Sequence, residues 1–252
     1  MPPSPPDRPS LCAVVGGRRT LLLDAGSSAA HVRGLLDGLR RPPFAVIYTH
    51  SDWDHVFGGA EVGAAVIAHA LTADRLLELA ERDWSDEGLD RRVAAGLSSP
   101  EHAEHVKAEL PAPRTVEVAP ADVVFHDRLD LELGDVTVRV RHLGGDHSEE
   151  SCVMLVEPDG VLFLGDCLYP SPKGVLTFES AARLRDAILA FPAQRYVEGH
   201  HDAVSSRAEL EAFLEKFRVA ERAARDGGAP ESPDEDTQSL YEAFRAGLAT
   251  AG

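Results

Sequence analysis

The sequence predicts an α/β (α+β) fold in which sheets are covered by helices within one domain. Three observations carry this expectation. The chain has 252 residues, enough to bury a sizeable core. Its hydrophobic share of 44% lies in the globular range. Short apolar, β-rich runs alternate with segments of helical period, and no internal repeat is evident.

In chain order, residues 1–10, "MPPSPPDRPS", read as a flexible, proline-rich lead without the apolar stretch of a signal peptide. The domain is expected over 11–225. "LCAVVGGRRTLLLDAGSS" reads as a hairpin, with two apolar runs flanking Gly16-Gly17. Ser27 or Ser28 caps a helix in "AAHVRGLLDGLRR", where Val32, Leu35, Leu36 and Leu39 keep helical spacing. "PPFAVIYTH" is a buried strand ending at His50, "AAVIAH" a further strand, and "LTADRLLELAERD" a helix. Residues 84–111 are charged and helical in pattern, lack a strong core face, and are expected to form an insertion or lid beside the site. The "EHAEH" within them has the wrong spacing for a zinc-protease helix and reads as a solvated face.

Strands resume at "DVVFHD", "RLDLELGD" and "VTVRVRHL". "SCVMLVEPDGVLFLGD" follows as a hairpin over Pro158-Asp159-Gly160. "SAARLRDAILAF" is a helix, "RYVEGHH" a strand ending in histidines, and "SRAELEAFLEKFRVAERAAR" a long helix. Residues 226–252 are expected to be an acidic linker and a mobile amphipathic tail.

The formal charge is −17, from 42 acidic and 25 basic residues, which disfavours nucleic acid as a partner. Cys12, Cys152 and Cys167 form no CxxC pair, which argues against a disulfide framework or a thiolate zinc site. No apolar run reaches the roughly 18 residues that a membrane helix needs. The expectation is a cytoplasmic protein without a membrane partner. Its oligomeric state is left open, a homodimer being one option.

Several strand ends stop at metal-type ligands: His50 to His55, then His147, Asp166 and His200. Loops at strand ends are where rigid scaffolds hold reactive groups, and imidazole with carboxylate suits zinc, iron or manganese. Any one of these residues alone has an ordinary explanation; their joint occurrence carries the reading. The ordered set "LLLDAG", "HSDWDH", "DHS", "FLGD" and "GH" resembles the metallo-β-lactamase superfamily over about Leu11 to His201. That resemblance implies a four-layer αββα sandwich with metals at one edge between the two sheets. By position it implies His50, Asp52 and His147 at a first metal site. It implies Asp54, His55 and His200 at a second, with Asp166 bridging.

Three departures stand out. Asp52 occupies the family's second histidine position, giving HxDxDH. Asp146 replaces the usual glycine before His147, and His201 follows the last ligand. A third aspartate takes a two-ion cluster with a bridging hydroxide from about +1 to about neutral. It also shifts preference towards harder ions. Aspartate is shorter than histidine, so two outcomes stay open: Asp52 binds the first ion, or it falls short and leaves that site weak.

The expected cofactors are one or two divalent ions, zinc first, with iron or manganese as alternatives. The implied activity is hydrolysis of an ester, thioester, lactone or amide of a small-molecule substrate by a metal-bound hydroxide, oriented by Asp54 as the catalytic residue. The alternatives are a non-haem iron redox enzyme of the persulfide dioxygenase kind and a catalytically silent metal-binding protein. Phosphodiester cleavage is disfavoured by the acidic surface, and a β-lactamase role by the lack of an export signal. His69, His201 and Tyr169 are candidates for supporting or substrate contacts.

Overall fold

The computed structural model describes residues 1–250. The first half of the chain builds β1 (Cys12–Val15), β2 (Thr20–Leu23), α1 (Ala29–Leu36), β3 (Ala45–Ile47), α2 (Trp53–Val56), α3 (Gly59–Val62), β4 (Ala65–His69), α4 (Ala70–Ala80), α5 (Asp86–Ala94), α6 (Pro100–Glu109) and β5 (Val123–Phe125). The second half builds β6 (Arg128–Glu132), β7 (Thr137–His142), β8 (Cys152–Glu157), β9 (Val161–Gly165), α7 (Phe178–Ala190), β10 (Arg195–Glu198), β11 (Ser205–Ser206), α8 (Arg207–Asp226) and α9 (Glu235–Thr250).

The strands form two sheets, ordered β1-β2-β3-β4-β5 and β11-β10-β9-β8-β7-β6. In the first, β1 and β2 pair as an antiparallel hairpin and the remaining pairs are parallel. The second is antiparallel except for the β9–β10 pair.

The two-residue period of a strand divides each apolar run between two layers. Leu21 and Leu23 of β2 face the opposite sheet, with Ala45 and Ile47 of β3, whereas Leu22 and Val46 face helices. Across the interface, Cys152, Met154 and Val156 of β8 and Phe163 of β9 fill the same central core. Their neighbours Val153, Leu155, Leu162 and Leu164 pack beneath α7, α8 and α9. The result is the expected αββα sandwich. Strands as short as β3 suffice because both of their faces are covered.

Three segments differ from their sequence reading. Residues 84–111 were expected to lack a core face, yet Leu89, Ala103 and Val106 are fully or almost fully buried in the layer over the first sheet, beside Trp84. The apolar positions are few, so charge dominates the pattern, but each is placed inward. Within 226–252, α9 packs onto α8 and buries Leu240, Ala243 and Phe244, rather than trailing as a mobile tail. The lead is also tied down: Arg8 pairs with Glu109 at 2.8 Å, and the Ser10 N–H donates to the Gly199 carbonyl at 2.6 Å.

Cys12, Cys152 and Cys167 are free thiols. Among the described residues no helix is long and apolar enough to cross a membrane.

Candidate metal centre

The cluster forms where β2, β3, β9 and β10 end on one edge. His50 lies three residues beyond β3, Asp166 directly after β9, and His200 two residues after β10; His147 comes from the β7–β8 loop. Asp52 stands at the N-cap of α2, where an aspartate ordinarily accepts a bond from the first helical turn. It makes no such bond. Its carboxylate turns instead towards His50 and His147.

The seven expected ligands converge. His50 Nε2 and His147 Nε2 are 3.2 Å apart. Asp52 Oδ2 lies 3.6 Å from the first and 3.3 Å from the second, outside the tighter grouping of His50, His147 and Asp166. His55 Nε2 lies 3.5 Å from Asp54 Oδ2, and His200 Nε2 lies 3.2 Å from the same oxygen. Asp166 Oδ2 is common to both sets, 3.3 Å from His55 Nε2, 3.3 Å from His200 Nε2 and 3.6 Å from His147 Nε2. Ligand atoms of Asp54, His55, Asp166 and His200 lie within 4.8 Å of one another, as do those of His50, His147 and Asp166.

The imidazoles are oriented by what holds their other nitrogen. His55 Nδ1–H donates to Asp24 Oδ2 at 2.8 Å. His147 Nδ1–H donates to the Pro170 carbonyl at 3.1 Å. Thr49 Oγ1 donates to Asp24 Oδ2 at 2.8 Å and accepts from His50 Nδ1–H at 2.9 Å. With Nδ1 engaged in each of the three, Nε2 is the nitrogen turned to the cluster and left for an ion once its proton is displaced, the arrangement that metal-ligating histidines need. His200 differs: its Nδ1 lies 3.6 Å from Asp7 Oδ1, and its backbone N–H donates to the Tyr169 hydroxyl at 3.2 Å. Gly199 is required, because a Cβ there would collide with Asp166 Oδ1.

The electrostatics are those of a site built for cations. Burial pushes the His147 and His200 imidazoles down, but the adjoining carboxylates outweigh it and raise them to about 9 and about 10. Burial likewise opposes ionisation of Asp52 and Asp166, yet their histidine neighbours hold both well below the usual carboxylate range. His55 Nε2 and Asp166 Oδ1 are buried with no hydrogen-bond partner. Buried polar atoms are rarely left unpaired, and here they adjoin three carboxylates and four imidazoles. This donor set fits one or two divalent ions of the zinc, iron or manganese kind.

The cluster opens into a cavity of about 1190 Å³. Of the three supporting candidates, only Tyr169 lines it. His69 stacks on His142 with ring centroids 3.9 Å apart, and His201 is exposed and donates to the Ala203 carbonyl. Asp146 does not face a ligand role: it accepts from the backbone N–H of Thr177 at 2.7 Å and so anchors the start of α7.

Sequence reasoning missed Asp24, although "LLLDAG" contains it, and missed Asp7, which has no motif around it. It also set aside "EHAEH", whose His102 and His105 both line the cavity. His102 packs edge-on against Trp53 at 6.0 Å, and His105 pairs with Asp7 at 3.2 Å.

Two helix-covered sheets with a histidine–aspartate cluster where their strands end define the class, an αββα sandwich with a metal-type site. The chain belongs to the metallo-beta-lactamase superfamily, whose family model matches residues 5–241.

Solved structures agree on the fold. A metallo-beta-lactamase family protein from Thermus thermophilus is similar over 100% of this chain and 91% of its own, at 18% identity and a TM-score of 0.63. The stereoselective inverting sec-alkylsulfatase from Pseudomonas sp. is similar over 92% of this chain and 44% of its own, at 14% identity and a TM-score of 0.64. A metallo-beta-lactamase from Pontibacter korlensis is similar over 81% of this chain and 84% of its own, at 17% identity and a TM-score of 0.56. At such identities the likeness concerns the fold alone. No curated protein matches in sequence.

Proposed function

We propose that this protein is a metal-dependent hydrolase acting on an ester, thioester, lactone or amide of a small molecule. One observation carries the reading: two histidine–aspartate sets share Asp166 Oδ2 and open into one cavity. His50, Asp52 and His147 would hold a first divalent ion, Asp54, His55 and His200 a second, and Asp166 would serve both. Such an ion, zinc first, would supply Lewis acidity that lowers the pKa of water and polarises a carbonyl.

The chain's own residues do the rest. Asp54 lines the cavity beside His200 and orients the attacking water through its carboxylate. Burial, with the charges of Asp166 and Glu198, holds the Tyr169 phenol well above its ordinary value. It therefore acts as a hydrogen-bond donor to a substrate oxygen and not as a base. Asp24, Thr49 and the Pro170 carbonyl keep the imidazoles aimed, and the 84–111 segment walls the cavity against bulk water.

The experiment is hydrolysis of nitrophenyl esters and thioesters before chelation, after it, and after return of zinc, manganese or iron. Loss on chelation and recovery on metal return are expected; chelator-insensitive turnover would overturn the reading. The third carboxylate, Asp52, favours a second reading, a non-haem iron redox enzyme. Bound iron with oxygen consumption and no hydrolysis would select it.

A further inference from the structure

Part of the cavity lining carries arginines, in a chain with a net charge of −17. Arg75, Arg82 and Arg92 come from α4, the turn after it, and α5, and all three line the cavity. Arg75 is taken up by Glu78 at 3.4 Å and Glu149 at 3.1 Å. Of the other carboxylates that line the cavity, Glu150 accepts from Ser51 at 2.5 Å and Asp146 from Thr177, while Glu101 pairs with no arginine among the described residues. Arg82 and Arg92 are half-buried and have no carboxylate partner among the described residues, unlike Arg91 of α5 and Arg114 beyond α6.

Both are nonetheless held in place. The Arg82 guanidinium lies 5.0 Å from the centroid of the Trp84 ring. That indole is itself fixed by donation to the Leu79 carbonyl at 3.0 Å and by edge packing on Phe57 at 4.8 Å. Arg92 donates one N–H to the Leu97 carbonyl at 3.2 Å and keeps its others free. Two guanidinium groups without a carboxylate partner, in so acidic a protein, leave charged N–H donors facing the cavity and available to an anion. Burial and the neighbouring Arg92 both act to lower the Arg82 guanidinium, with Glu78 and Asp52 acting the other way. A guanidinium so placed still remains charged.

We propose that Arg82 and Arg92 form an oxyanion-binding subsite, so that the substrate is a small acyl compound carrying a carboxylate or similar anionic group remote from the bond that is cleaved. The planar fork of each guanidinium matches a carboxylate, and the second guanidinium supplies a further pair of donors. The substrate class rests on the hydrolase reading above, whereas the anion site itself does not.

The chain's two tryptophans, Trp53 and Trp84, both line the cavity, so intrinsic fluorescence reports on it directly. The zinc-loaded protein is titrated with glutarate and with its neutral counterpart glutaramide, then with inorganic phosphate and sulfate as competing oxyanions. Glutarate is expected to bind and glutaramide not. The double variant Arg82→Gln/Arg92→Gln should weaken glutarate at least about tenfold, the loss of one charge-assisted hydrogen bond. Displacement of glutarate by phosphate or sulfate would widen the class from carboxylates to oxyanions generally. Arg92→Gln alone, which leaves the Arg82–Trp84 stack intact, keeps the test valid if the double variant misfolds.

In parallel, mono-4-nitrophenyl succinate is compared with 4-nitrophenyl butyrate, its analogue with a methyl in place of the carboxylate. The succinate ester should have the higher kcat/KM, and the ratio should fall in the variants. Arginine-dependent glutarate binding with neither ester hydrolysed would refute the hydrolase reading alone. Ester hydrolysis with glutarate binding unchanged in the variants, or with no binding at all, would overturn the anion subsite alone.

Discussion

Asp24 and His55 are joined at 2.8 Å, and neither side chain has any exposure to solvent. Asp24 adopts a left-handed backbone conformation with φ of 59°, unusual for a residue with a side chain. From there its two oxygens take three donors: the Thr49 N–H at 2.7 Å, Thr49 Oγ1 at 2.8 Å, and His55 Nδ1–H. One carboxylate therefore orients His55 directly and His50 through Thr49, one imidazole in each ligand set.

Asp24→Asn tests that dependence. An amide offers one acceptor oxygen where three donors converge, so at least one of them meets an N–H. Metal affinity, read by competition with a chromophoric chelator, should fall about 10–100-fold. An unchanged affinity would show that the imidazoles are held by packing alone.

His55→Ala and His200→Ala should each lose metal at the second site together with activity. His201→Ala should keep both, because His201 bonds only to the Ala203 carbonyl and makes no contact with the cluster. Elemental analysis of the three variants reads the difference, and the reverse ranking would move the ligand by one residue.

Removal of metal should reverse the pH dependence of stability. In the metal-free chain His147 and His200 are raised to about 9 and about 10, against an ordinary value of 6.5. A histidine raised by folding contributes stability that is full below its unfolded value and is lost as pH rises through the folded one. The metal-free protein should therefore lose melting temperature from about pH 6.5 towards 10. Metal must displace these protons, so apparent affinity should rise across the same window. Calorimetric titration in two buffers of different ionisation enthalpy reads the protons released. Metal binding without proton release at neutral pH would contradict the assignment.

The buried residues of α5 and α9 give a prediction about stability. Leu89→Ala should destabilise by about 2–5 kcal/mol and Phe244→Ala by about 3–5 kcal/mol, since both side chains are fully buried. Denaturant unfolding measures both. A change below about 0.5 kcal/mol at either site would return that segment to the status of a detachable lid or tail.

What the sequence revealed, and what it concealed, has a physical pattern. Layered strands were legible because a run such as Leu21 to Leu23 serves two cores at once and so must be apolar throughout. The histidines and aspartates of the cluster were legible because they follow strands at fixed offsets in one recognisable order. Asp7 was not: it reaches His200 through the folding of the lead across the cavity edge, a relation of residues far apart in the chain. Leu89 and Val106 were hidden by the charges around them, since a few inward positions per helix do not make a visible stripe. The arginines of the cavity were hidden for a related reason: lack of a carboxylate partner is a property of space, not of spacing.

The central claim is that the seven histidines and aspartates form a metal centre in which Asp52 is a working ligand. The most direct measurement is metal stoichiometry by elemental analysis, after incubation with zinc, manganese or iron and removal of excess, for wild type and Asp52→His. Since Asp52 Oδ2 lies 3.6 Å from His50 Nε2 and 3.3 Å from His147 Nε2, wild type should hold two ions per chain. Asp52→His should also hold two, with its preference moved towards zinc. A wild type that retains no metal, or a variant whose stoichiometry rises from one to two, would contradict that claim.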